Sequence, residues 1–257
     1  MAFQTPTGEW STINWETLFM DLTATDGSLK IALTNTFIHF VTDFLFVPFH
    51  LFIAYLLYKK IKGFRAFQVI LYLPAIINGV VMTTAFKNFV NPSGPVGQVL
   101  ISAFGMSEAP EFFNNSDYAT WSILFYKIWV GWGGNMMLFG GALARIPLEI
   151  LESARLDGVG SFKELVRIIF PLLWPTVSTM LILMMTGIFT ASGPILLFTR
   201  GSYNTSTLAY WIFDKVKYVG ESAYNQVAAT GLFFTLLGLP VVLFARWLAE
   251  KVPSVEY

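Results

Sequence analysis

The sequence predicts an all-α membrane protein, a bundle of five spanning helices. Of its 257 residues 55% are hydrophobic and 17% aromatic, while only 12% are charged, against roughly 25% in a soluble domain. A helix that crosses a ~30 Å hydrocarbon core needs about 20 mostly apolar residues, and runs of that kind cover 33–58, 66–89, 119–143, 172–198 and 226–248. Between them lie stretches such as Asn91-Pro92-Ser93-Gly94-Pro95 and Gly201-Ser202-Tyr203-Asn204, whose turn-forming residues mark surface loops.

The same composition excludes several functions. Net charge is formally zero with no long run of one sign, so there is no electrostatic footprint for nucleic acid. Cysteine is absent and there are two histidines, which rules out disulfides, thiolate sites and thiol catalysis, and leaves no histidine-rich metal cage. No cluster of nucleophile, base and metal ligands suggests a membrane-embedded enzyme.

Residues 1–32 hold no run long enough for a span or for the apolar core of a signal peptide. Trp15, Leu18, Phe19 and Leu22 recur at helical spacing, which suggests a short helix in the outer membrane interface; an unstructured terminus is the alternative. Domain organisation is then 1–32 as an extracytoplasmic segment and 33–257 as the transmembrane domain. Orientation follows from the lysines and arginines, which favour cytoplasmic loops. Lys59, Lys60, Lys62, Arg65, Arg145, Arg155, Lys163, Arg167, Arg246 and Lys251 fall on one side, against Lys30, Arg200, Lys215 and Lys217 on the other. The first set is expected in the cytoplasm, with the N-terminus outside and the C-terminus inside.

Residues 144–171, between the third and fourth runs, are too long for a turn and too charged for lipid. Pro147 suits a first helical turn, 148–156 holds good helix formers, and Gly158 can take the left-handed conformation that ends the helix. Ser161 and Glu164 have the spacing of a capping box for a second helix, and Pro171 marks a turn into the next span.

This loop resembles the EAA loop of ABC importer permeases, E-A-A-x3-G-x9-I-x-L-P. Glu152, Ser153, Ala154, Gly158, Ile168, Phe170 and Pro171 stand at matching spacing, with Ser153 in place of the second-position alanine and Phe170 in place of the leucine. In the sugar-importer branch the loop commonly reads I-P-x-x-L-x-E-A-A-x-L-D-G-A, similar to 146–159 here. Leu73-Pro74, the stretch 94–100, Thr199-Arg200-Gly201 and 204–208 also look like that branch.

The resemblance implies the type I ABC importer transmembrane fold, a bacterial plasma (inner) membrane location and a role as a permease subunit for a sugar or oligosaccharide. It implies alternating access, two cytoplasmic ATPase subunits, a second permease and an extracellular substrate-binding protein. Leu148, Leu151, Glu152, Ser153, Ala154, Arg155, Asp157 and Gly158 are then expected to engage the ATPase. Ser153 and Ala154 permit close approach, Glu152 pairs with a basic group, and Gly158 permits a sharp exit. No G-x-x-x-x-G-K-[ST] phosphate loop occurs in the chain, so ATP and Mg are expected in partner subunits and this chain carries no cofactor and is not an enzyme. Many permeases of that branch have one more span in front, so either Met1 is a shortened start or an upstream helix is missing.

Charged and polar groups inside spans are functional candidates by default. Asp43 and Lys127 both fall in the outer third of the bilayer and are expected to pair, to touch cargo, or to snorkel. His39 lies one turn before Asp43 as a hydrogen-bonding neighbour. In the Trp- and Gly-rich third span, Trp129 and Asn135 suit stacking and hydrogen bonding to a sugar, or else anchor and pack the helix, the reading favoured for Trp121. Ser192-Gly193-Pro194 should break the fourth span and free backbone groups beside Ser192. The rival functions are an importer of the same class for a polyol, a glycerol phosphate or a peptide, and a secondary transporter coupled to protons through Asp43 and His39.

Overall fold

The computed structural model describes residues 1–190 and 193–252, so Ser192 lies outside the described residues. The α-helices in chain order are α1 (Ile13–Thr23), α2 (Ser28–Tyr58), α3 (Phe64–Ile76), α4 (Gly79–Phe89), α5 (Pro95–Phe104) and α6 (Ala119–Leu143). There follow α7 (Leu148–Leu156), α8 (Ser161–Glu164), α9 (Phe170–Thr186), α10 (Ile195–Phe198), α11 (Leu208–Asp214) and α12 (Tyr224–Glu250). Ser28–Tyr58, Ser161–Thr186 and Leu208–Glu250 are each long and apolar enough to cross a membrane, and α3 with α4 meets the same test only when counted together. α6 coincides with the third expected span and has 25 residues, but its glycines, tryptophans and Lys127 dilute its apolarity.

Two expected spans are broken. Helix 66–89 stops at Ile76 because the Asn78 side chain accepts from Val80 N–H at 3.0 Å and starts a new helix, as a helix cap does. Span 172–198 ends as a regular helix at Thr186, and the short α10 begins only at Ile195.

The chain forms two compact units, Met1–Val41 with Asn78–Lys127 and Gly187–Pro240, and Thr42–Ile77 with Ile128–Thr186 and Val241–Tyr257. Residues 1–32 thus belong to the first unit rather than standing apart. In that unit α1 docks through Leu18, fully buried with Leu29, Ala32, Leu208, Trp211 and Phe234. A second centre is aromatic: Phe113 stacks on Phe198 at 4.3 Å between ring centroids, with Tyr126 edge-on to Phe198 at 4.9 Å. The loop after α10 is held from α2, where Asn35 Nδ2 donates to the carbonyls of Asn204 (2.5 Å) and Ser206 (2.9 Å). Arg200, Gly201, Tyr203 and Asn204 all have positive φ there, a conformation costly for arginine and tyrosine. A Cβ on Gly201 would meet the Tyr210 ring at 2.5 Å, so only glycine fits.

The second unit is aliphatic. Val47, Leu51, Ala54, Tyr55, Met136, Phe139, Leu143, Leu151, Ile169, Leu173 and Val177 form one buried cluster. Between membrane helices such packing acts through close van der Waals contact and not through expulsion of water. Gly133 shows the requirement: a Cβ there would sit 2.6 Å from the Ala75 Cβ, whereas Gly131 and Gly134 face open space. Trp174 Nε1 donates to the Ala249 carbonyl at 3.0 Å and pins the C-terminal end of α12.

Candidate functional site

The cytoplasmic loop expected from the sequence folds, within the second unit, as α7 followed by a left-handed Gly158 with φ of 70°. Pro147 is extended and precedes the helix, which starts at Leu148. Residues 148, 152 and 156 share one helical stripe, and Leu148, Glu152 and Leu156 are all exposed, Leu156 at 89%. Ser153, Arg155, Asp157 and Gly158 are exposed as well. Leu151 and Ala154 correct the expected contact set, because at 1% and 4% exposure they point into the chain. They anchor α7 from beneath and leave the outer stripe free. Leu156 shares that exposed stripe and was not among the residues expected there; an apolar residue four after Glu152 and eight after Leu148 was the available signal.

The expected capping box does not form. Gly160 precedes α8 and no side chain caps it. Glu164 is drawn away instead, its Oε2 receiving Lys59 Nζ at 2.7 Å while its own exposure falls to 1%. Tyr55 Oη donates to the Ser161 carbonyl at 3.2 Å. Nor does the chain turn at Pro171. A π turn over Leu165–Ile169 runs straight into α9, with Phe170 N–H bonded to the Leu165 carbonyl. The physical reason is that proline lacks an N–H and its ring crowds the carbonyl four residues back, which a wider turn relieves.

The proposed path residues are spread over both units. Lys127 lies in the first, Asp43, Trp129 and Asn135 in the second. Asn135 Nδ2 is 3.1 Å from His50 Nδ1, so one path candidate has a buried partner that sequence reasoning missed. His50 is an ionisable residue inside an apolar run, the signal that singled out Asp43. Its Nε2 and the Trp132 Nε1 are buried with no hydrogen-bond partner among the described residues, and the two rings meet edge-on at 6.0 Å. In the first unit His39 is buried, with 6% exposure, and Trp121 is 65% exposed, as suits a membrane anchor. Among the described residues no three His, Asp or Glu side chains are grouped to hold a metal ion.

The family described as "Binding-protein-dependent transport system inner membrane component" matches residues 32–253. Protein LplB of Bacillus subtilis (strain 168) is 28% identical over 226 residues, 85% of this chain and 70% of LplB. The maltose/maltodextrin transport system permease protein MalF of Escherichia coli (strain K12) is 27% identical over 239 residues, 88% of this chain and 46% of MalF. The chain thus spans less than half the length of that relative. A chain of the crystal structure of a bacterial ABC transporter involved in the import of the acidic polysaccharide alginate superposes with a TM-score of 0.80 at 23% identity, covering 95% of this chain and 85% of that one. At that identity the likeness speaks for the fold, and it agrees with the all-α membrane class expected from the sequence.

Proposed function

The chain belongs to the family of inner-membrane components of binding-protein-dependent transport systems, and on that premise we propose that it is one permease subunit of an ATP-driven importer for a sugar or oligosaccharide. The observation that carries the reading is α7: a short helix fixed from inside by Leu151 and Ala154, which offers Leu148, Glu152 and Leu156 on one free stripe. Such a helix fits a groove on a cytoplasmic ATPase. Leu148 and Leu156 supply apolar contact, and Glu152 pairs with a basic group. Ser153, Arg155, Asp157 and the left-handed Gly158 line the edge of that contact. Two ATPase subunits bind ATP and Mg, a second permease completes the path, and an extracellular binding protein delivers cargo.

In this reading the chain crosses the membrane five times, by α2, by α3 with α4, by α6, by Ser161–Thr186 and by α12, with its C-terminus in the cytoplasm. Closure of the ATPase pair moves α7 and switches the spans between outward and inward openings. Asn135, Trp129, Asp43, Lys127 and Ser192 contribute to the cargo path, Asn135 through an amide that also holds His50. The maltose/maltodextrin system of the relative MalF and the sugar-branch pattern of the loop support a carbohydrate cargo.

The test is uptake of labelled maltodextrins and monosaccharides by proteoliposomes that hold the whole assembly and its binding protein. Uptake is expected to require internal ATP and to be lost in Glu152→Arg. Uptake driven by a proton gradient without ATP would contradict the reading.

A further inference from the structure

The carboxylate of Glu164 has no part in the loop pattern and caps no helix, yet it is almost wholly buried. One oxygen receives Lys59 Nζ at 2.7 Å; the other is buried with no hydrogen-bond partner among the described residues. Lys59 directly follows the last residue of α2, and its ammonium also lies 5.5 Å from the centroid of the Tyr55 ring. One turn back, Tyr55 donates to the Ser161 carbonyl. Two polar ties therefore join the cytoplasmic end of α2 to the single turn Ser161–Glu164, which only residues 157–160 separate from α7.

A buried ion pair with an unsatisfied oxygen is a poor way to gain stability, since an apolar pair of similar volume would do as well or better. Its physical effect is different. Partial separation would leave the desolvated Glu164 carboxylate without its cation, while the partly exposed Lys59 could still turn to water. The carboxylate therefore holds the two elements together unless they part far enough for it to be solvated. We infer that Lys59 and Glu164 form a strut that makes the end of α2 and the start of Ser161–Thr186 a single body, so that displacement of α7 reaches the first long helix as well as the one that follows the loop. Both are positioning residues. Without the strut, the wide turn Leu165–Ile169 is free to absorb the motion.

The inference rests on the importer reading. It is tested in the full assembly by spin labels at Lys60→Cys and Lys163→Cys, both exposed, in a chain that has no cysteine of its own and with cysteine-free partners. Pulsed electron resonance then compares the distance between labels in the nucleotide-free and vanadate-trapped states. With Lys59 and Glu164 present, one narrow distance is expected in both states. In Lys59→Met with Glu164→Gln, which removes both charges at similar volume, ATP hydrolysis is expected to persist while the distance shifts or broadens on trapping. Should that variant fail to assemble, Glu164→Gln alone carries the same expectation. A distance that changes in the parent, or that stays fixed in the charge-free variant, overturns the strut and leaves the importer reading intact. A parent assembly without vanadate-sensitive ATP hydrolysis overturns the importer reading, and the strut with it.

Discussion

In the first unit one set of polar ties runs from helix side chains to the backbone in and beside the loop after α10. Asn35 holds two carbonyls of the loop after α10, Thr36 accepts from Leu208 N–H at 2.8 Å, and Lys87 donates to the Phe198 carbonyl at 2.8 Å. In the second unit two ties run instead from the end of one helix to the start of another, Lys59 to Glu164 and Tyr55 to Ser161. The first arrangement fixes a strained loop in one shape. The second joins two helix ends at one place, just before the π turn Leu165–Ile169. The first set of ties fixes a loop; the second, on the strut inference, carries a displacement from one helix to another.

The largest loss is expected at the ion pair. Lys59→Met strands the Glu164 carboxylate and is expected to destabilise the chain by about 3–5 kcal/mol, read as loss of purified assembly and of melting temperature. Replacing both partners is expected to restore most of the loss. In the first unit Asn35→Ala orphans two carbonyls but no charge, and a smaller cost of about 1–3 kcal/mol is expected, with faster proteolysis confined to 200–206. Gly133→Ala should cost about 1–3 kcal/mol by overpacking against Ala75. Gly134→Ala, inside α6 and in open space, is expected to stabilise by about 0.5–1 kcal/mol, the opposite sign. The smallest effect belongs to Ser161→Ala. If the capping box existed it would cost about 1 kcal/mol; because no cap bond forms, the melting temperature is expected to stay put.

These residues also mark where the sequence was legible. Composition and apolar runs gave the all-α membrane class, and the spacing from Glu152 to Pro171 led to the family. Helix 148–156 and the left-handed Gly158 were readable because both are local: good helix formers, then a glycine after the last turn. The inward side of Leu151 and Ala154 was not, since the loop pattern fixes spacing and leaves open which face meets the bundle. The pairing of Lys59 with Glu164 spans residues 105 apart, and no local rule reaches that far; the nearest local rule, the capping box, assigned Glu164 to the wrong partner. Hydropathy likewise ran through Asn78, where a two-residue cap outweighs the apolar sequence on either side.

On the importer reading, the outer stripe of α7 grips an ATPase. A photo-cross-linking amino acid at position 156 or at position 151 of the assembled transporter tests it most directly. Capture of an ATPase subunit from position 156 and none from the inward-facing 151 is the predicted result. Capture from 151 alone, or from neither while the assembly hydrolyses ATP, would contradict it.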